Sequence, residues 1–344
     1  MSPDPHLPVV DVADLLTDDA APSGAARRAA ETIDRACREV GFFVVTGHGI
    51  DPDLQTRLEA AAHEFFGLPD SEKQRIAMPR AGAAWRGWFP VGGELTSGVP
   101  DRKEGIYFGD EHPPDHPRVR SRTPLHGANQ FPDRPAELRS AVLDWLGAMR
   151  PLADSVMRGI AIGLGLEPHW FAQHLTDDPT MLFRIFHYPP DPDPGEWGVG
   201  EHTDYGLLTL LAQDRHGGLQ VQHVDGRWID VPASPELIVC NIGDMLERLT
   251  AGRYHSTPHR VRNTSGTSRL SFPYFFDPSW GATVPTLPIE PTEPTANRSE
   301  RWDRADVLAW EGTYGDYLTA KVARVFPNLF RVGVIADAAT PRSP

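Results

Sequence analysis

The segment HTDYGLLTLLAQD (202–214) joins a His-x-Asp pair to an apolar run, and the fold prediction starts from it. The segments around it are also short and β-rich, from MLFRIFHYPP (181–190) to RLSFPYFFDP (269–278), and Gly, Pro, Asp and Asn separate them. Many short strands at close spacing are typical of a β-sandwich or jelly roll. The sequence therefore predicts a mainly β core in this part of the chain.

Helical patterns lie on both sides of the predicted core, which makes the fold class α+β. We predict helices within residues 24–40, 51–69, 133–165 and 311–326, with Asp51 as an N-cap. Residues 78–130 are predicted to form an irregular segment with short strands. We expect three regions: a helical and mixed N-terminal region (1–175), a β core (176–285) and a helical C-terminal extension (286–344).

Composition limits the kinds of partner. The formal net charge of −14 over 344 residues argues against binding to nucleic acid or to an anionic membrane. Two cysteines, Cys37 and Cys240, form neither a disulfide framework nor a Cys-based metal site. The N-terminus has no signal-peptide pattern, and no apolar run reaches the ~20 residues of a membrane span. We expect a cytoplasmic monomer or small homo-oligomer that acts on a small molecule.

The His-x-Asp pair predicts a metal site. On a strand, His202 and Asp204 project from the same face and can bind one ion together. His259 follows after 54 residues, which lets the chain cross the sandwich and return on a facing strand. Two His and one carboxylate form the facial triad of non-haem Fe(II) oxygenases. A zinc hydrolase with the same ligand types is the alternative enzyme. Because the chain has 14 histidines, a second His downstream of the His-x-Asp pair is also expected by chance.

A second pair of residues favours the oxygenase. Arg269 and Ser271 form an R-x-S pair ten residues after His259, on one face of a predicted strand. An Arg fork and a hydroxyl suit a carboxylate, and 2-oxoglutarate offers a distal carboxylate to Arg and a keto-acid end to iron. A structural ion pair is the alternative for Arg269.

These residues belong to a pattern that extends over nearly the whole chain. In the N-terminal half the motifs are LPVVDVADL, GFFVVTGHGI, EFFGLP, DRKEG and LHGANQFPD. In the core they are HYPP, HTDYGLLTLL, GGLQV, NIGDML, STPHRV and RLSFPYFFDP. Together they resemble the isopenicillin N synthase-like 2-oxoglutarate/Fe(II) oxygenases. The resemblance implies a distorted double-stranded β-helix (jelly roll) with flanking helices.

The resemblance also implies residue roles. The Fe(II) ligands would be His202, Asp204 and His259. The residues on the distal carboxylate of 2-oxoglutarate would be Arg269, Ser271 and Tyr188 of HYPP. The implied reaction uses O2, converts 2-oxoglutarate to succinate and CO2, and hydroxylates the substrate, with desaturation or ring closure as variants.

Two alternatives stay open on the sequence. Isopenicillin N synthase has the R-x-S pair and uses it for a substrate carboxylate without 2-oxoglutarate, and the aminocyclopropanecarboxylate oxidases also depart from 2-oxoglutarate. An oxidase of either type is therefore the alternative enzyme. A degenerate metal- or ligand-binding protein on the same fold is the non-enzymatic alternative.

Three residues are candidates for substrate contact. Arg184 shares the face of Tyr188 by even spacing, and a structural ion pair is its alternative. Arg86 and Phe89 lie in a Gly-rich aromatic stretch that covers the active site in this family, and a loop packed on the core is the alternative. An acidic or amino-acid-like substrate would suit Arg86 and Arg184.

Some polar residues near these motifs are predicted to be structural only. Asn241 and Asp244 are expected to form a turn. Asp101, Lys103 and Glu104 are expected to form a solvated turn.

Overall fold

The computed structural model describes residues 7–17, 21–190, 197–289 and 306–327. Of the predicted C-terminal extension, residues 290–305 and 328–344 lie outside these ranges. No helix in the described residues is long and apolar enough to cross a membrane.

The described residues form two β-sheets. The major sheet has eight strands in the spatial order β1 (Val9–Asp11), β2 (Phe42–Thr46), β10 (Ile238–Ile242), β7 (Leu208–Gln213), β12 (Arg269–Ser279), β5 (Pro179–Tyr188), β4 (Glu104–Gly109) and β3 (Gly87–Phe89). The minor sheet has four in the order β6 (Val199–His202), β11 (His259–Val261), β8 (Leu219–Gln222) and β9 (Trp228–Asp230). Of these paired strands, β1 and β2 run parallel and the others antiparallel. The predicted mainly β core is confirmed.

The major sheet joins two of the regions expected from the sequence. Strands β1 to β4 come from residues 1–175, and the other four come from residues 176–285. The segment 78–130, which was predicted to be irregular with short strands, contributes β3 and β4 to one edge of the sheet, next to β5. The two regions form one continuous sheet.

Helices flank the sheets. Their bounds are α1 (Gly24–Glu39), α2 (Pro52–Phe66), α3 (Asp70–Lys73), α4 (Pro117–Arg120), α5 (Glu137–Gly163), α6 (Trp170–His174), α7 (Asp244–Leu249) and α8 (Tyr314–Val325). Three short 3-10 helices span Ala13–Leu15, Gln74–Ile76 and Met78–Ala84. Helix α5 packs on α1, α2 and strands β7 and β12, so the long helices cover the major sheet.

Local sequence explains where these helices begin and which side they bury. Helix α1 starts after Ser23, whose hydroxyl accepts a hydrogen bond from the Ala26 amide at 3.0 Å. Its residues at helical spacing, Ala26, Ala30, Ile33 and Cys37, are all buried. The predicted N-cap of α2 is confirmed, because Asp51 accepts from the Asp53 amide at 2.9 Å.

Alternation along β5 orients the functional side chains. Leu182, Arg184, Phe186 and Tyr188 all line one cavity, as even spacing on a strand predicts. Strand β12 pairs with β5 so that Arg269 lies opposite Tyr188. The candidate carboxylate residues therefore become neighbours across two adjacent strands.

Candidate metal centre and active site

A cavity lies between the two sheets. The minor sheet lines it with residues such as Val199 and Leu219, and the major sheet with residues such as Thr209 and Pro273. Its empty space, counting the part open to solvent, is about 910 Å³.

The structure brings the three predicted metal ligands together. His202 and His259 are direct partners across β6 and β11, so their rings lie side by side with centroids 4.1 Å apart. Asp204 Oδ1 lies 4.0 Å from His202 Nε2 and 3.7 Å from His259 Nε2. All three ligand atoms lie within 4.8 Å of one another, which makes a group able to hold one metal ion.

The route by which they meet differs from the prediction. The expected return of His259 on a facing strand is wrong, because β11 lies beside β6 in the minor sheet. Strand β6 also ends at His202, so Asp204 belongs to the connection that follows. Strand pairing places the two imidazoles, and the turn into the major sheet places the carboxylate.

Hydrogen bonds orient each imidazole toward the centre. His202 Nδ1 lies 2.8 Å from the Gly200 carbonyl, and His259 Nδ1 lies 3.2 Å from the Thr257 carbonyl. Since a carbonyl only accepts, each Nδ1 carries the proton and each Nε2 keeps its lone pair for a metal.

The far oxygen of Asp204 is held by two residues of the major sheet. Its Oδ2 accepts from Thr209 Oγ1 at 2.6 Å and from Asn241 Nδ2 at 2.7 Å. These bonds fix the carboxylate plane and leave Oδ1 toward the imidazoles. The predicted turn role of Asn241 and Asp244 is wrong, because Asn241 belongs to β10 and Asp244 begins α7.

Electrostatics keep His202 and Asp204 in the forms that bind metal. Burial, and then the charge that His259 would carry, lower the pKa of His202 to about 3. Burial alone would raise the pKa of Asp204. The imidazoles of His259 and His202 and the bonds from Asn241 and Thr209 outweigh it and hold that pKa below its usual value. A neutral imidazole and a carboxylate are the forms a metal requires.

The predicted carboxylate-binding residues lie together on the wall of the same cavity. Arg269 is fully buried and donates from Nη2 to Gln213 Oε1 at 2.8 Å and from Nε to the Gly217 carbonyl at 3.0 Å. Its Nη1 is buried without a hydrogen-bond partner in the described residues. Ser271 Oγ lies 3.5 Å from the Tyr188 hydroxyl, and the Tyr188 ring stacks 4.7 Å from the guanidinium carbon.

This part of the cavity wall fits the distal carboxylate of 2-oxoglutarate. A rigid guanidinium with an unused donor, next to two hydroxyls, supplies the donors that a carboxylate accepts. The triad, also on the cavity wall, has the donor set of a non-haem iron site.

Of the three substrate candidates, the structure places one at the cavity. Arg184 lines it. Arg86 is buried and donates to the carbonyls of Phe108 and Leu125, at 3.2 and 2.8 Å, away from the cavity wall. Phe89 packs edge-on against Tyr107 and is likewise not among the lining residues.

Sequence reasoning missed one lysine and two carboxyl residues of the cavity wall, namely Lys103, Glu94 and Asp277. Lys103 is 1% exposed, lines the cavity and lies 2.5 Å from Asp101 Oδ2 and 2.8 Å from Glu94 Oε2. Glu94 lines the cavity as well. The predicted solvated turn is therefore wrong, and Glu104 is also buried, with Lys73 Nζ 2.8 Å from its Oε2.

A two-sheet β core that holds a largely buried His-Asp-His triad is typical of non-haem iron oxygenases. Comparison with known families narrows the class. Residues 7–134 match the family model described as the N-terminal part of non-haem dioxygenases in morphine synthesis. Residues 179–278 match the model of the 2OG-Fe(II) oxygenase superfamily. The chain belongs to this superfamily, and it is a 2-oxoglutarate-dependent dioxygenase with Fe(II) as its metal.

Similar proteins cover nearly the whole chain. A probable iron/ascorbate oxidoreductase of Dictyostelium discoideum is 43% identical over 94% of this chain and 96% of its own. A homoarginine-6-hydroxylase of Arabidopsis thaliana is 37% identical over 94% of this chain and 90% of its own. A full-length Neurospora crassa protein, solved in complex with alpha-KG (2-oxoglutarate), superimposes with a TM-score of 0.75 at 27% identity, over 94% of this chain and 98% of its own. The predicted family and jelly-roll fold are confirmed.

Proposed function

We propose that His202, Asp204 and His259 bind Fe(II), and that Arg269, Ser271 and Tyr188 bind the distal carboxylate of 2-oxoglutarate. The buried Nη1 donor of Arg269, which has no hydrogen-bond partner among the described residues, supports this proposal, because it suits an anion in the same cavity as the triad. Bound Fe(II) supplies the centre at which O2 and 2-oxoglutarate react.

The protein's own residues prepare that centre. The two backbone carbonyls hold the imidazole tautomers, and Thr209 and Asn241 hold the Asp204 carboxylate. Arg269 orients 2-oxoglutarate by its distal end, so that its keto-acid end faces the triad. The apolar wall of Leu182, Phe186 and Leu211 excludes water from the space left for the substrate.

The reaction is proposed to be hydroxylation of a small molecule, coupled to release of succinate and CO2. The test is succinate formation by the Fe(II)-loaded enzyme with a panel of small molecules. L-homoarginine comes first, because a relative is named for hydroxylating it. The wild type should form succinate, whereas His259→Ala and Arg269→Met should not. No succinate from the wild type, together with no 2-oxoglutarate binding, would contradict the proposal.

We further propose that the protein works in the cytoplasm as a monomer or small homo-oligomer, without nucleic acid or membrane partners. The net charge of −14 and two buried free thiols, Cys37 and Cys240, support this. Light scattering of the purified protein tests the oligomeric state. Retention on heparin or on anionic vesicles at low salt would contradict the proposed absence of nucleic acid and membrane partners.

A further inference from the structure

Arg184 is a buried cation that forms no ion pair among the described residues. It is 7% exposed, and its Nη1 is buried without a hydrogen-bond partner among the described residues. Within the part of the chain that the structure describes, no carboxylate lies within ion-pair distance of it. What surrounds its guanidinium carbon is aromatic, with ring centres of Tyr107 at 3.6 Å, Phe275 at 4.9 Å and Trp85 at 5.3 Å.

The acidic residues of the cavity wall each have another partner. Glu94 faces Lys103 Nζ at 2.8 Å and accepts from the Tyr107 hydroxyl. Asp277 Oδ2 accepts from the Tyr314 hydroxyl at 2.5 Å, while its Oδ1 is buried without a hydrogen-bond partner among the described residues. Asp204 belongs to the metal centre. Of the residues that the structure describes, these are the three acidic ones that line the cavity. The charge of Arg184 acts on Glu94 and Asp277 to lower their pKa values, but none of the three forms an ion pair with it.

A charge buried in this way is costly unless something pairs with it. Aromatic rings offset part of the cost, but they contact the face of a guanidinium and leave the N–H donors at its edge unused. Packed between rings, the group is held in place with its buried Nη1 donor unfilled. This is the arrangement of a preformed anion site.

The position of Arg184 separates it from the proposed 2-oxoglutarate site. Tyr188 lies four residues further along β5 on the same face, which corresponds to about 13 Å between Cα atoms. The two arginines, Arg184 and Arg269, therefore contribute to different parts of one cavity. One carboxylate of 2-oxoglutarate at Arg269 leaves Arg184 for another molecule.

We propose that Arg184 binds a carboxylate of the primary substrate, so that the substrate is an organic acid or an amino acid. The inference rests on the proposed function for the identity of the cavity. It adds the chemical class of the substrate and the residue that selects it.

The first experiment needs no knowledge of the substrate. The protein is loaded with Mn(II) and saturating 2-oxoglutarate, which fills the Arg269 site, and its Tm is followed against acetate and against the neutral isostere acetamide at constant ionic strength. Acetate should raise the Tm of the wild type and acetamide should not. Arg184→Met should weaken the acetate response at least about tenfold, because it removes one partner of a buried charge pair.

Arg57→Met is the matched control, since it removes an arginine whose ion pair with Asp144, at 2.9 Å, is about half exposed at the surface. It should keep the acetate response of the wild type. Equal acetate responses in Arg184→Met and the wild type, or no difference between acetate and acetamide in the wild type, would overturn the proposal.

The second experiment separates this inference from the proposed function. Arg184→Met should bind 2-oxoglutarate as the wild type does, whereas Arg269→Met should not. For any acid that drives succinate formation, Arg184→Met should raise KM far more than it lowers kcat, and Arg184→Lys should recover part of the loss. A substrate without a carboxylate, turned over equally by Arg184→Met, would refute the role of Arg184 while leaving the dioxygenase reaction intact.

Discussion

Replacing Asn241 by alanine should weaken metal binding while leaving the fold in place. The Asn241 amide donates to Asp204 Oδ2 at 2.7 Å inside the protein, and the Thr209 hydroxyl donates to the same oxygen at 2.6 Å. A hydrogen bond to a charged group contributes about 1.5–3 kcal/mol. At about 1.4 kcal/mol per tenfold, its loss predicts roughly 10- to 100-fold weaker binding, the range typical of groups that hold metal ligands.

The assay is calorimetric titration of the metal-free protein with Mn(II). Asn241→Ala and Thr209→Val should each weaken binding in this range, and the double variant should lose less than the sum because both residues hold one oxygen. Thr319→Val is the control, since it deletes a hydroxyl that bonds the Gly315 carbonyl within α8. Affinities within twofold of the wild type in both single variants, with unchanged Tm, would refute the reasoning.

Three further predictions concern other parts of the cavity. Arg269→Met should raise the Kd for 2-oxoglutarate by about 30-fold or more without changing the Kd for Mn(II), and calorimetry that shows both or neither affected would contradict this. Excess Mn(II) should raise the Tm of the wild type but not of His259→Ala, since only a folded triad binds the metal; equal shifts would contradict it. Burial, followed by the charge of Asp204, raises the pKa of Asp277 from 3.8 to about 7. The folded protein therefore holds a proton that the unfolded chain releases above pH 3.8, and the wild type should lose stability relative to Asp277→Asn as pH rises from about 4 to 7. A Tm difference between the two that stays constant with pH would exclude this coupling.

Features encoded by short spacings were predictable from the sequence. Even spacing on one strand placed Arg184 and Tyr188 on a common face, and the structure confirms it. The candidate ligands His202, Asp204 and His259 were predictable because their residue types are chemically restrictive, and the structure brings them together.

Contacts between residues that lie far apart in the sequence were not predictable. Asn241 contacts Asp204 only because β10 and the end of β6 converge, and nothing in the sequence near either residue encodes that contact. The charge of Lys103 led to the wrong prediction of a solvated turn, because its two carboxylate partners, Glu94 and Asp101, could not be recognised from the sequence. The backbone around Arg86 is irregular, so the sequence has no periodicity from which to predict the direction of the Arg86 side chain.

The same hydrogen bonds that orient Asp204 would give a metal bound by the triad a mechanical role. The two imidazoles belong to the minor sheet, while the carboxylate is tied to β7 and β10 of the major sheet. A metal held by all three groups is thus a cross-link between the layers of the sandwich, and its binding free energy adds to the free energy of unfolding. Iron supply would then govern how long the enzyme persists against proteolysis, in addition to how fast it works.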